Sequence, residues 1–92
     1  MKLKITAQAG SLESCDLLVI VNPVEEGAGR NVEMESMVIS EYGDSILKDI
    51  NGILDQFDVK DVELVVNDRG ALTPTIKARI EAALLRSSKG KG

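Results

Sequence analysis

Ser14 is the residue best placed by type and setting to form a covalent bond. It lies between Glu13 and Cys15 in the polar stretch AGSLESCD, residues 9–16. A nucleophilic serine needs a base, and the sequence holds no histidine. That removes the general base of a Ser-His-Asp relay and most three-ligand zinc sites. Lys2 and Lys4 fall in an N-terminal strand pattern with nothing to depress their pKa. The residue types therefore favour a serine acted upon by another enzyme; taken without context, Ser14 is an ordinary turn residue.

Other reactive types are weaker candidates. Cys15 is the single cysteine, so no internal disulfide can form and a reducing compartment fits. Glu13 and Asp16 flank it with no cation nearby in sequence, which disfavours its thiolate and makes it a small loop residue. The acids Glu25, Glu26, Glu33 and Glu35 are too scattered for a metal site, and none is expected.

The elements around Ser14 follow from periodicity. Residues 2–9 alternate, with Leu3, Ile5, Ala7 and Ala9 against Lys4, Thr6 and Gln8, the pattern of a half-buried strand. Residues 17–22 are almost wholly aliphatic, which predicts a central strand covered on both sides and stopped by Pro23. Ser14 thus falls in the connection between two strands. Residues 25–31, EEGAGRN, make a glycine-containing turn without P-loop or Rossmann spacing. A third strand is expected over 32–38.

Tyr42, Ile46, Ile50, Ile53, Leu54 and Phe57 form one apolar stripe of helical spacing, with Asp44, Lys48, Asp49 and Asp55 opposite. Residues 62–66 read as a fourth strand, closed by the turn residues Asn67-Asp68-Arg69-Gly70. A last helix is predicted with Thr73 as N-cap, Pro74 at the first helical position, and Ile76, Ile80, Ala83 and Leu84 on its apolar face. The expected fold is α+β, a two-layer sandwich with a mixed four-stranded sheet and two helices on one face, in the order β-β-β-α-β-α. One domain over 1–86 and a disordered polar tail over 87–92, SSKGKG, complete it.

Composition narrows the partners. The 92 residues carry a formal charge of −4, with one Phe, one Tyr and no Trp. A nucleic-acid partner is disfavoured on both counts, for want of net positive charge and of stacking platforms. Charge is uneven: residues 1–70 hold 14 acidic and 6 basic side chains, and residues 71–92 hold 1 acidic and 5 basic. The basic end suits a solvated helix face and its dipole, or docking onto an acidic partner or cofactor phosphates. The N-terminal residues lack an apolar run for a signal peptide or membrane span, so a soluble cytoplasmic protein is expected.

Three segments in order carry a family resemblance. Gly10-Ser11-Leu12-Glu13-Ser14-Cys15-Asp16 resembles the G-T-L-E-S-x-D signature of the citrate lyase acyl carrier protein, the gamma chain of that complex. Asn67-Asp68-Arg69-Gly70-Ala71-Leu72, followed by Ala78-Arg79-Ile80-Glu81-Ala82-Ala83-Leu84, is similar to its D-K-G-A-L and A-R-L-E-A-L segments. Tyr42-Gly43-Asp44 is similar to its F-G-D. Ser11 stands for the usual threonine and keeps a hydroxyl. Thr73-Pro74 replaces an aspartate-cysteine pair, and there the chain resembles the malonate decarboxylase carrier instead.

The resemblance implies a carrier without an active site of its own. It implies that Ser14 bears 2'-(5''-phosphoribosyl)-3'-dephospho-coenzyme A through a phosphodiester, installed by a holo-carrier-forming nucleotidyl transferase. Glu13 and Asp16 would help that enzyme recognise the loop. The arm's thioester would carry acetyl and citryl groups between the alpha (transferase) and beta (lyase) subunits as citrate is cleaved to acetate and oxaloacetate. A covalent tether keeps the acyl group at high local concentration at both sites.

The alternatives are the malonate decarboxylase carrier and a small interaction module without a prosthetic group. Asp44-Ser45-Ile46 also resembles the D-S-L attachment site of four-helix acyl carrier proteins. Strands precede Ser45 here, so it reads as a first-turn helix residue.

Overall fold

Alternation in β2 (Leu17–Asn22) and β4 (Val62–Asp68) sets the architecture. Leu17, Val19 and Val21 of one, and Val62, Leu64 and Val66 of the other, are buried on a shared face. The computed structural model describes residues 1–36 and 39–90, with residues 39–42 described by their backbone alone. Around this pair stand β1 (Ala7–Gly10) and β3 (Arg30–Ser36), giving the sheet order β1-β2-β4-β3. β1 and β4 both pair antiparallel to β2, whereas β3 runs parallel to β4. The parallel pair needs a crossover, and helix α1 (Ile39–Gln56) supplies it.

Helix α1 buries Ile46, Ile50, Ile53 and Leu54, and α2 (Thr73–Lys89) buries Ile76, Ile80, Ala83 and Leu84. These residues join the inner sheet residues in one core, so both helices lie on the same face. Full burial of each such side chain contributes about 1.5–3 kcal/mol, and aliphatics do this almost unaided. The mixed sheet, the two helices and their order agree with the expectation.

Several boundaries differ for identifiable reasons. β1 begins at Ala7 rather than at residue 2, because Lys4 and Ile5 donate their N–H groups to the Ser87 carbonyl of α2 instead of to β2. β2 is central but covered on one side only. Leu18 and Ile20 stay half-exposed on the open face, in line with Val65 of β4 and with the exposed Gln8 and Glu33 of the edge strands.

β3 starts at Arg30, paired with Val62, while Met37 and Val38 of the expected strand lie outside the described residues. The side chain of Tyr42, counted in the apolar stripe, does so too. The N-cap of α2 is Leu72, not Thr73, whose hydroxyl donates to Asp49 of α1 at 3.1 Å. α2 runs to Lys89 and ends on Gly90 in the left-handed conformation, at φ 66°. Residues 87–89 of the expected tail are therefore helical, and Ser87 is fully buried with its hydroxyl donating to the Ile5 carbonyl. Lys91 and Gly92 lie outside the described residues.

Candidate functional site

The turn between β1 and β2, residues 11–16, presents Ser14 at the end of the sheet. Its approach requires glycine: Gly10 has φ +91°, and a Cβ there would come within 1.8 Å of the Leu17 carbonyl oxygen. From that point the turn is closed by its own polar groups. Ser11 N–H donates to the Leu17 carbonyl at 3.1 Å, and Asp16 N–H donates to the Glu13 carbonyl at 3.2 Å. The Ser11 hydroxyl donates to Asp16 Oδ2 at 2.7 Å while accepting from Glu13 N–H at 3.2 Å. These short serine and aspartate bonds give the turn an alternative to ladder pairing.

Two arginines then fasten it to the rest of the fold. Cys15 N–H donates to the Arg69 carbonyl at 2.8 Å, and Arg69 N–H donates to the Asp16 carbonyl at 2.9 Å, extending the β2–β4 pairing past Asp68. Cys15 adopts φ +64° to do so. Arg79 of α2 reaches Asp16 through Nε to Oδ1 at 2.9 Å and Nη2 to Oδ2 at 3.1 Å. The Asp16 carboxyl is lowered to about 2, first by this Arg79 fork, then by the Ser11 hydroxyl and the Leu17 N–H. Asp16 is thus a charged clamp at the base of the turn, with its side chain only 15% exposed.

Ser14, Glu13 and Cys15 are exposed. The Ser14 hydroxyl lies 3.8 Å from Cys15 Sγ. An exposed hydroxyl on a turn whose backbone is pinned at both ends can enter another protein's active site and accept a bulky substituent. Of the three residues singled out in sequence, Ser14 and Glu13 are accessible, whereas Asp16 is committed to Arg79. Arg69 and Arg79 were hidden from sequence reasoning about this turn: no cation lies near it in sequence, and both arrive from distant parts of the chain. The only linear signal for Arg79 was the basic bias of the last 22 residues, which is unspecific, and Arg69 lies outside that stretch.

Ser45 is exposed on α1 and borders a cavity of about 370 Å³ formed with Ile46, Asp49, Ala71, Leu72 and Ile76. It lies on the helical layer, and Asp68 and Gly70, on either side of Arg69, line the same cavity. Among the described residues, no group of three or more Cys, Asp or Glu side chains could hold a metal ion. No helix among them is long and apolar enough to cross a membrane.

Comparison with known proteins gives a consistent result. The family model described as "Malonate decarboxylase delta subunit (MdcD)", an acyl carrier family, matches residues 4–87. A citrate lyase acyl carrier protein of Treponema denticola is 40% identical over 89 residues, covering 97% of this chain and 99% of the relative. One from Halothermothrix orenii is 40% identical, with coverages of 98% and 94%. One from Streptococcus mutans is 43% identical, with coverages of 97% and 86%. A solved structure of a Pseudomonas malonate decarboxylase hetero-tetramer in complex with malonate contains a chain of the same fold. Its TM-score is 0.62 at 18% identity, over 90% of this chain and 84% of that one. On sequence identity over almost its whole length, the chain belongs to the citrate lyase acyl carrier protein family.

Proposed function

We propose that this protein is the acyl carrier subunit of citrate lyase and that Ser14 is its point of covalent attachment. The observation that carries the reading is the setting of Ser14, exposed at the tip of a turn clamped through Asp16 and Arg69. With no histidine in the chain, the serine depends on an outside base. A nucleotidyl transferase supplies one. Ser14 Oγ would attack the α-phosphorus of a triphosphate-activated donor, its proton passing to that enzyme and pyrophosphate leaving as the phosphodiester forms.

The residues present fit such a group. The turn offers an accessible hydroxyl, and Arg69 beside it has a buried Nε–H without an acceptor among the described residues. The attached group, 2'-(5''-phosphoribosyl)-3'-dephospho-coenzyme A, supplies a terminal thiol for acyl transfer between the transferase and lyase subunits during cleavage of citrate to acetate and oxaloacetate. The chain's own contribution is to hold the attachment point rigid while leaving one side of it open. Glu13, exposed beside Ser14, is a contact for the modifying enzyme; Asp16 serves it indirectly by fixing the turn.

A malonate decarboxylase carrier is the second reading, favoured by Thr73-Pro74 and by the description of the matching family model. Relatives at 40% identity and above weigh for citrate.

Intact mass and peptide mapping of the protein from its native host test the assignment. The expected result is one large adduct on the Ser14 peptide, with a thiol distinct from Cys15, absent from Ser14→Ala protein that folds normally. An adduct on Ser45, or an active complex containing Ser14→Ala, overturns it. An unmodified chain would leave an interaction subunit.

A further inference from the structure

Arg69 is used by this fold in an unusual way. Both of its main-chain groups are committed to the serine turn, the carbonyl to Cys15 and the N–H to Asp16. Its side-chain Nε–H is not so committed. Nε is buried from solvent and has no hydrogen-bond partner among the described residues. The contrast with Arg79 is direct, since that guanidinium has two bonds to Asp16. A buried N–H without an acceptor is uncommon and costly, so an unfilled donor beside a reactive position points to a group that arrives later.

The chemistry of that group follows from where Arg69 stands. Its carbonyl is 2.8 Å from the nitrogen of Cys15, the residue after Ser14, and consecutive Cα atoms are about 3.8 Å apart. Whatever is bonded to Ser14 Oγ therefore begins close to the main chain of Arg69, from which its long side chain extends. Two acids are near. Asp16 is already held by Arg79. Glu35 shares a hollow of about 140 Å³ with Arg69, Ser36, Asn67 and Asp68, yet Arg69 forms no ion pair among the described residues.

Resting on the reading that Ser14 carries a phosphodiester-linked group, we infer that Arg69 binds that phosphodiester, its Nε–H donating to a non-bridging oxygen. A phosphodiester carries one negative charge shared by two such oxygens, and the planar guanidinium fork matches it. The first atoms of the arm are then fixed against the end of β4, and the thiol end remains free to travel. Arg69 is a positioning residue and takes no part in acyl transfer.

The test compares apo and holo carrier by nuclear magnetic resonance of the arginine Nε–Hε groups and of phosphorus, after intact mass has established the state of Ser14. In the holo form the Arg69 Nε–Hε resonance is expected to move downfield and to exchange with water about tenfold more slowly. The Arg79 resonance stays where it is. Arg69→Gln shifts the phosphodiester phosphorus resonance, and Arg69→Lys recovers part of the change. Because Arg69 meets the turn through its main chain, these variants keep the fold; should either unfold, the wild-type apo and holo spectra decide alone. A Ser14 phosphodiester confirmed by mass, with Arg69 Nε–Hε unmoved, overturns this inference and leaves the carrier assignment standing. A chain from the native host with Ser14 unmodified overturns both.

Discussion

Arg79 holds Asp16 through Nε and Nη2 of its guanidinium, at 2.9 and 3.1 Å, across 63 residues of sequence. The pair connects the middle of the last helix to the base of the turn that carries Ser14.

Removing the clamp should loosen the turn and spare the core. Arg79→Gln is expected to keep the fold while amide exchange at Ser14 and Cys15 quickens and modification of Ser14 slows. Arg86→Gln is the control, since Arg86 reaches the Gln8 carbonyl of β1 at 2.7 Å and not the turn. Hydrogen exchange with mass detection reads the first effect, and the rate of adduct formation reads the second. Equal behaviour of the two variants would refute the clamp.

The same pair makes the turn sensitive to acid. Asp16 is lowered from 3.8 to about 2, chiefly by Arg79. A depressed folded-state pKa contributes stability that is fully present above the unfolded value and is lost as pH falls through the folded one. Order at residues 11–17 should therefore persist at about pH 4 and decline toward pH 2. Asp61, lowered first by the Gly29 N–H, adds a contribution of the same sign at the opposite end of the sheet. Comparison with Asp16→Asn isolates the turn: the variant's stability should be flatter across this window.

Gly10 should be nearly irreplaceable. Gly10→Ala combines φ +91° with a Cβ 1.8 Å from a main-chain oxygen, and a loss above about 2 kcal/mol is expected. Gly27→Ala has nearly the same φ, +89°, but open space around the added methyl, so about 1 kcal/mol is expected. Denaturant midpoints of the two variants measure the difference, which reports the steric contact alone.

The inner layer of the fold was legible because it is periodic. β2 occupies residues 17–22 as its aliphatic run indicates, and the stripe containing Ile46, Ile50, Ile53 and Leu54 is the buried face of α1. The same run misleads about the second side of β2. An aliphatic stretch reports that a strand is central, whereas cover depends on where the helices go, and both went to one face.

Contacts distant in sequence were not legible. Nothing local in residues 2–9 tells that Lys4 and Ile5 give their N–H groups to Ser87, and nothing in SSKGKG tells that Ser87 is buried. At the turn, the sequence singled out Ser14, and the structure finds it exposed. Asp16 looked equally available until Arg79 arrived from the far end of the chain.

The pairing of an early turn with late residues also bears on the order of manufacture. Synthesis delivers Ser14 long before Arg69 and Arg79, so a growing chain shows its hydroxyl on an untied loop. Only when α2 has docked is the Arg79 clamp on Asp16 in place. On the proposed function, a modifying enzyme that recognises the shaped turn would pass over unfinished or truncated chains, and the arm would go only to carriers that have folded.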